Sequence, residues 1–225
     1  MRRLSVAILG VLVLAAPLSL AAPAHSSPLS LAAPAHSSPD ATSPGNSREI
    51  RTTPRADIWQ QLRTGRGYAV LLRHALAPGT GDPPGFRLGD CSTQRNLSLE
   101  GRRQAIALGA QWRRERMPVE RVLTSRWCRA RDTARLLAVG AVTAYPALDS
   151  SFTVSDATAA RRTAQVRALI QRHRGEPGVL VLVGHQVNIT DLTGIVPSSG
   201  GAIVVQARAD GSLRVVGSLP APQSR

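Results

Sequence analysis

Two short apolar runs in the chain are almost free of polar residues. They are "YAVLLRH" at residues 68–74 and "GVLVLVGH" at residues 178–185. A strand with one face in water alternates apolar and polar positions, whereas an unbroken run is typical of a parallel strand covered on both faces. We therefore predict that both runs form strands in the middle of a sheet.

Weaker patterns predict the remaining strands and the helices. Shorter strands are expected at residues 120–125 and 141–146, and a hairpin at residues 202–218 that turns at Asp210-Gly211. The predicted helices are residues 54–64 with Thr53 as N-cap and Pro54 at the first position, residues 99–116 capped by Ser98, and residues 129–140, 155–174 and 187–194. Alternation of strands and helices predicts an α/β fold in three layers, with a mainly parallel central sheet flanked by helices and the hairpin at one edge.

The N-terminal residues have the layout of a secretory signal. Arg2 and Arg3 precede a short apolar run, and a small-residue cleavage site ends at Ala24. An uncleaved anchor is disfavoured because a bilayer needs roughly 20 apolar residues. Residues 17–27 recur unchanged at 28–38 and offer a second cleavage site after Ala35. We predict a signal peptide at 1–24, a flexible tether at 25–53 and one folded domain at 54–220, exported to the periplasm or beyond and without a membrane span.

The charge of the chain narrows the class of partner. The formal net charge is +14, and arginine supplies every positive side chain. Such a surface suggests anionic partners. Nucleic acid is disfavoured because only 3% of the residues are aromatic, and single-strand binding relies on aromatic platforms. The only cysteines, Cys91 and Cys128, allow either a disulfide in an exported protein or two buried thiols.

Polar side chains follow the buried strands at the point where each strand ends. His74 ends the first run and His185 the second, while Arg126, Arg129 and Arg131 follow the strand at 120–125. Ligands of open α/β sheets bind at the carboxyl ends of the strands. Guanidinium groups bind phosphate oxygens in a bidentate fork, and a neutral imidazole can attack phosphorus. This combination favours phosphoryl chemistry with a small phosphorylated substrate, in which a second, protonated histidine stabilises charge and a carboxylic acid protonates the leaving alcohol.

Two other interpretations of these histidines are weaker. A histidine at a strand end can simply be a satisfied polar residue, although two at equivalent ends make this less convincing. A metal site is disfavoured because neighbouring guanidinium groups would repel a cation, and the spacing of histidines and acids matches no common ligand pattern. We expect neither a metal nor a cofactor.

Four segments resemble the motifs of the histidine phosphatase superfamily, which includes the cofactor-dependent phosphoglycerate mutases. "LLRHA" is similar to its Arg-His-Gly signature, "NLSLEGRRQAIALG" to its Leu-Ser-x-x-Gly-x-x-Gln-Ala segment, "TSRWCRARDTARLL" to its Ser-x-x-x-Arg-Ala-x-x-Thr-Ala segment, and "VLVGHQVNI" to its Gly-His strand end. The matches occur in family order between about residues 67 and 194, and imply the phosphoglycerate mutase-like fold.

The resemblance implies a role for each matching residue. His74 would be the nucleophile that becomes phosphorylated, Arg73 and Arg129 would hold the phosphoryl oxygens, and His185 would complete the phosphate pocket. Arg126 and Arg131 do not fall on the family's arginine and are interpreted as solvated helix charges.

The chain departs from the family pattern in two places. Ala75 replaces the glycine after the nucleophile, and no Glu follows the strand at 141–146 where many members carry their acid. Asp82, in the long loop after His74, is the preferred proton donor, and Asp149 is the alternative. That loop, which includes Arg87 and Asp90, is expected to shape the substrate site. A Cys91–Cys128 disulfide would pin it to the pocket.

The sequence thus predicts an exported, metal-independent phosphatase that hydrolyses phosphomonoesters through a phosphohistidine on His74. Mutase activity on glycolytic intermediates fits poorly with export. The alternatives are a phosphohistidine-protein phosphatase, a phosphate- or polyanion-binding protein with a degenerate site, and a charge-driven nucleic-acid binder. The natural substrate and the oligomeric state are not predicted.

Overall fold

A computed structural model describes residues 55–222, and the predicted signal peptide, tether and Thr53 cap lie outside these residues. The helices are α1 (Arg55–Thr64), α2 (Leu99–Arg114), α3 (Cys128–Leu137), α4 (Asp156–Arg172) and α5 (Gln186–Thr193). The strands are β1 (Tyr68–Arg73), β2 (Val119–Thr124), β3 (Val142–Ala144), β4 (Val179–Gly184), β5 (Ala202–Ala207) and β6 (Leu213–Leu219). Short 3₁₀ turns lie at Cys91–Thr93 and Pro146–Leu148.

The six strands form one sheet in the order β3-β2-β4-β1-β5-β6. Strands β1 to β4 are parallel to one another, while β5 pairs antiparallel with β1 and β6 antiparallel with β5. The two unbroken apolar runs are the central neighbours β1 and β4, and every residue of β4 is buried. The mainly parallel sheet and its antiparallel hairpin are therefore confirmed.

Alternate residues of the central strands face two separate apolar cores. Val70, Leu72 and Val181 contribute to one core, together with residues of α1, α2 and α3. Leu71 and Leu182 contribute to the other, together with residues of α4 and α5. Helices thus cover both faces of the sheet, which is the predicted three-layer arrangement.

Helix ends account for most differences from the predicted bounds. Helix α3 stops at Leu137, three residues before the predicted end, because Ala138 adopts a left-handed φ of 49° that breaks the helical hydrogen-bond series. Helix α2 stops at Arg114, and Arg116 takes a left-handed φ of 54°. The chain leaves a helix at both places without a glycine, so no residue type in the sequence marks the end.

Candidate active site

The parallel strands place the predicted site residues at one edge of the sheet. Arg73 at the end of β1 pairs in register with Gly184 at the end of β4, so His74 and His185 follow at the same level. The His74 backbone N–H donates to the Gly184 carbonyl at 3.0 Å. The two imidazole rings lie edge to face, with centroids 5.5 Å apart. The predicted convergence of the strand ends is present.

A contact with the backbone of the next residue sets the tautomer of His74. Nδ1 lies 2.8 Å from the Ala75 carbonyl oxygen. A carbonyl can only accept, so Nδ1 carries the proton and Nε2 keeps its lone pair. Burial lowers the pKa of His74 to about 3; the Ala75 contact opposes this shift, and the charges of Arg129, Arg95 and Arg73 add to it. The ring is neutral at neutral pH and has a nucleophilic nitrogen.

His185 is the last member of a buried hydrogen-bonded chain. Ser125 Oγ donates to Asp149 Oδ1 at 3.4 Å and lies 2.9 Å from His185 Nε2. A hydroxyl has one proton, so with that proton directed to Asp149, Nε2–H of His185 donates to Ser125. Burial lowers the pKa of His185, and the neighbouring His74 and Arg129 lower it further. His185 is therefore neutral in the ligand-free protein, whereas the expected catalytic role requires the protonated form.

Two guanidinium groups flank the histidines. Arg129, on the first turn of α3, is buried and only 3% exposed. Arg73 is partly buried, and its Nη1 donates to the Pro197 carbonyl at 2.9 Å. In both residues the Nε–H group is buried and has no hydrogen-bond partner among the described residues. Unpaired buried donors on two adjacent cations are suited to an incoming anion.

Asp82 lies against the predicted phosphate clamp. Its Oδ1 accepts from Arg129 Nη1 at 2.7 Å, and its Oδ2 accepts from Arg129 Nη2 at 3.3 Å and from Trp127 Nε1 at 3.0 Å. Burial alone would raise the pKa of Asp82, but the hydrogen bonds from Arg129 and Trp127 outweigh it and the pKa is lowered. The structure thus brings the preferred proton donor into the site as an ionised carboxylate.

The alternative donor, Asp149, lies behind His185. It is fully buried and accepts from Arg126 Nε at 2.8 Å, from Arg126 Nη2 at 2.5 Å and from the Arg126 backbone at 2.9 Å. Its link to His185 passes through Ser125, and it is not among the residues that line the cleft. The interpretation of Arg126 as a solvated helix charge is wrong in part: its side chain is 45% exposed, but Arg126 precedes α3 and pairs with a buried acid.

The two cysteines form a disulfide, with their Cα atoms 5.7 Å apart. The bond joins the loop after β1 to the start of α3, next to Arg129. Arg131 Nη2 lies 3.0 Å from the sulfur of Cys91 and 3.3 Å from that of Cys128. The interpretation of Arg131 as a solvated charge is therefore also wrong, and the alternative of two free thiols is excluded.

Residues of α2 and α3 that belong to the quoted motifs contact the backbone that follows His74. A Cβ on Gly101 would lie 2.0 Å from the Leu76 carbonyl oxygen, so only glycine fits there. Gln104 accepts from the Leu76 backbone at 2.9 Å and donates to the Ser199 carbonyl at 3.1 Å. Thr133 of α3 accepts from the Ala75 backbone at 3.0 Å. These motif residues hold the segment that follows His74.

Several residues of the site were not singled out from the sequence. A cleft of about 320 Å³ opens at His185, and its lining includes the predicted Arg73, Asp82, Arg129 and His185 as well as Phe86, Arg95, Trp127, Phe152 and Val187. His74 is buried next to His185 and is not among the lining residues. Ser125, which contacts His185, is the serine of a quoted motif, but no role was assigned to it from the sequence. Trp127 lies inside a quoted motif at a position that the motif does not specify. Phe86, Arg95 and Phe152 lie in loops, where no periodic pattern indicates which way a side chain points.

Two kinds of feature are absent from residues 55–222. They contain no group of three or more His, Cys, Asp or Glu side chains placed to hold a metal ion. No helix in this range is long and apolar enough to cross a membrane.

The fold is similar to those of solved phosphatases. No protein-family model matches the chain, and no curated protein matches it by sequence. The protein histidine phosphatase SixA complexed with tungstate matches with a TM-score of 0.50 and 14% identity, over 68% of this chain and 96% of that one. Two mycobacterial proteins also match at 18% identity: hydrolase 2 with a TM-score of 0.52 over 71% of this chain and 93% of its own, and hydrolase 1 with 0.50 over 67% and 96%.

Because the sequence identities are only 14–18%, these similarities establish the fold and not the activity. The chain has the three-layer α/β fold of these solved structures, as its motifs implied. Arg73 and His74 lie at the end of β1, His185 follows β4, and Arg129 lies on the first turn of α3.

Proposed function

We propose that this protein is an exported phosphatase that hydrolyses phosphomonoesters through a phosphohistidine on His74, without a metal. The observation that carries the proposal is the tautomer of His74: Nδ1–H is held by the Ala75 carbonyl, which leaves Nε2 free beside the buried guanidinium group of Arg129 and the partly buried one of Arg73. A neutral imidazole nitrogen with a fixed orientation is a suitable nucleophile for phosphorus.

Substrate binding begins as a competition for Arg129. The phosphoryl dianion takes the guanidinium that Asp82 occupies in the ligand-free protein, and Arg73 binds a second oxygen. Two consequences follow from the charges. Asp82 loses the hydrogen bonds that lower its pKa and gains an anionic neighbour, so it takes up a proton. His185 gains an anionic neighbour as well, which favours its protonated form.

The chemistry then proceeds in two displacements. His74 Nε2 donates its lone pair to phosphorus as the ester P–O bond breaks, and the leaving oxygen takes the bonding electrons and the proton of Asp82. A water molecule next attacks phosphorus and gives a proton to the Asp82 carboxylate. The N–P bond breaks, its electrons return to Nε2, and phosphate leaves. Protonated His185 donates to the phosphoryl oxygens in both steps, and Asp149 stabilises its positive charge through Ser125.

The test is turnover of an aryl phosphate by the purified mature protein with and without a chelator. We expect the activity to survive the chelator and to be lost in His74→Ala. Quenching in alkaline detergent should trap a phosphoryl group on the protein that is stable to base and labile to acid. His173→Gln is the matched control, because His173 is a buried histidine that instead contacts Glu120 and Gly178. Turnover abolished by chelator, or retained by His74→Ala, would contradict the mechanism.

A second candidate function is a phosphate- or polyanion-binding protein without turnover. It is favoured by one observation: both candidate acids, Asp82 and Asp149, are paired with arginines. Calorimetry with inorganic phosphate distinguishes the two functions, since tight binding without hydrolysis of any ester would support the binding protein.

Export is the remaining part of the proposal. It is supported by the sequence of residues 1–24 and by the disulfide, because disulfides persist in oxidising compartments. N-terminal sequencing of protein recovered from outside the cytoplasm would show whether cleavage follows Ala24 or Ala35.

A further inference from the structure

Aromatic side chains are scarce in this protein and are concentrated at the candidate site. The whole chain has three Trp, two Tyr and two Phe residues. Both phenylalanines and one tryptophan, Phe86, Trp127 and Phe152, line the cleft at His185. Ligand pockets typically combine apolar and aromatic walls with a few polar groups that fix the orientation of the ligand. The distribution therefore indicates a cleft built to bind more than a phosphate.

The rings form a continuous path from the nucleophile to the cleft wall. His74 contacts His185, and His185 meets Trp127 edge to face with centroids 5.6 Å apart. Trp127 stacks on Phe86 with centroids 5.1 Å apart and an interplanar angle of 17°. A substituent on a phosphoryl group bound at the histidines would therefore extend along an aromatic surface.

Phe152 adds an apolar side chain from a different loop. It follows the 3₁₀ turn Pro146–Leu148, whereas Phe86 belongs to the loop after β1. Phe152 is 56% exposed, which leaves much of its ring in water. A ligand ring that packs on it would remove apolar surface from water on both partners.

The third arginine of the cleft is already hydrogen-bonded to the loop after β1. Arg95 is the third arginine of the lining, and its guanidinium donates to the Gly81 carbonyl at 2.7 Å and to the Ala77 carbonyl. It therefore holds the loop that carries Asp82. Beyond the arginines, Asp82 and His185, the lining combines Phe86, Trp127, Phe152 and Val187 with the uncharged polar residues Thr80, Ser150, Thr153 and Gln186, which is suited to an uncharged ring.

The arginine partners of the two candidate acids favour a leaving group that needs little protonation. Asp82 must give up its pair with Arg129 before it can take up the proton that it delivers, and Asp149 is fully buried in its pair with Arg126. A phenol has a pKa of about 10. An aliphatic alcohol is a far weaker acid, comparable with water. A phenolate therefore departs with much less help from a proton donor than an alkoxide does.

From the ring path, the exposed Phe152 and the paired acids, we propose that the substrates are aryl phosphates, whose aromatic leaving group binds between Phe152 and the Trp127–Phe86 stack. This inference rests on the proposed phosphatase function and specifies its substrate class.

The ring site can be tested separately from the chemistry with phosphonates, which cannot be hydrolysed. We expect phenylphosphonate to bind about tenfold more tightly than methylphosphonate by calorimetry, because the phenyl ring buries apolar surface in the cleft. Phe152→Ala should reduce this ratio to about twofold, and Phe152→Leu should give an intermediate ratio. Ile106→Ala is the matched control, because it truncates an exposed apolar residue of α2 outside the cleft and should leave the ratio unchanged.

Steady-state kinetics provide the second measurement. The ratio of kcat/KM for phenyl phosphate to that for cyclohexyl phosphate should fall in Phe152→Ala and stay unchanged in Ile106→Ala. Equal affinity for the two phosphonates, or ratios that Phe152→Ala leaves unaltered, would overturn the aryl proposal even if hydrolysis is observed. A strong preference for phenylphosphonate without hydrolysis of any ester would support the ring site and contradict the phosphatase function.

Discussion

Asp82 holds, in the ligand-free protein, the guanidinium group that we propose a phosphoryl group will take. Asp82→Asn should therefore change stability and phosphate affinity in opposite directions. The substitution keeps the size of the side chain and one oxygen acceptor, but it removes the negative charge beside Arg129, which is buried. The ligand-free protein loses part of an ion pair, while the phosphate complex, in which Asp82 has been displaced, loses little.

The structure sets the size of the effect. Removing one partner of a buried ion pair outright costs about 3–5 kcal/mol. The Asp82 side chain is 16% exposed and asparagine keeps one acceptor, so we expect a loss of about 2 kcal/mol in the free energy of unfolding. The same energy no longer opposes phosphate, which should bind up to about 30-fold more tightly. Turnover should fall, because asparagine cannot deliver a proton to the leaving group.

The assays are urea denaturation with and without phosphate, calorimetry with inorganic phosphate, and steady-state hydrolysis. Asp132→Asn is the matched control, since Asp132 pairs with Arg102 at 3.3 Å on the surface and such pairs contribute about 0–1 kcal/mol. It should change none of the three measurements appreciably. Phosphate affinity that is unchanged or weaker in Asp82→Asn would refute the idea that Asp82 and phosphate compete for Arg129.

Two further predictions follow from the histidines and the disulfide. Because the pKa of His74 is lowered from 6.5 to about 3, the unfolded chain binds a proton there that the folded protein does not, so His74 makes stability fall as the pH drops from about 6.5 towards 3. Denaturation of His74→Gln across this range should show a smaller pH dependence than that of the wild type, and an equal dependence would contradict the assignment. Replacing Cys91 and Cys128 together by serine should lower the free energy of unfolding by about 2–4 kcal/mol and weaken phosphate binding, as the loop that holds Arg95 and Asp82 loses its attachment to α3. Unaltered phosphate affinity would show that the loop keeps its position without the bond.

The sequence predicted the sheet well because its central strands are defined by burial. Residues 68–74 and 178–185 lack polar alternation, and this property depends only on the layers that cover them. The meeting of His74 and His185 followed from the parallel direction of β1 and β4. Arg73 and Arg129 were located because the motifs fix them relative to these strands.

The contacts between loops could not be predicted in this way. Asp82 and Arg129 are 47 residues apart in the chain, and their ion pair depends on the path of a long loop that has no repeating pattern. For the same reason the sequence suggested Asp149 as a proton donor, whereas the structure places it behind Ser125. Arg126 was misinterpreted because its buried partner follows β3 and is distant in the chain.

The disulfide also determines what a protease could separate. It joins residues 37 positions apart and closes a covalent ring that contains α2, β2 and Trp127. A single cut between residues 92 and 127 would leave the two fragments covalently linked. A cut in the glycine- and proline-rich segment 79–89, outside the ring, would leave α1, β1 and His74 held only by non-covalent packing. Such a cut would leave His74 on one fragment and Arg129 and His185 on the other, with no covalent bond between them.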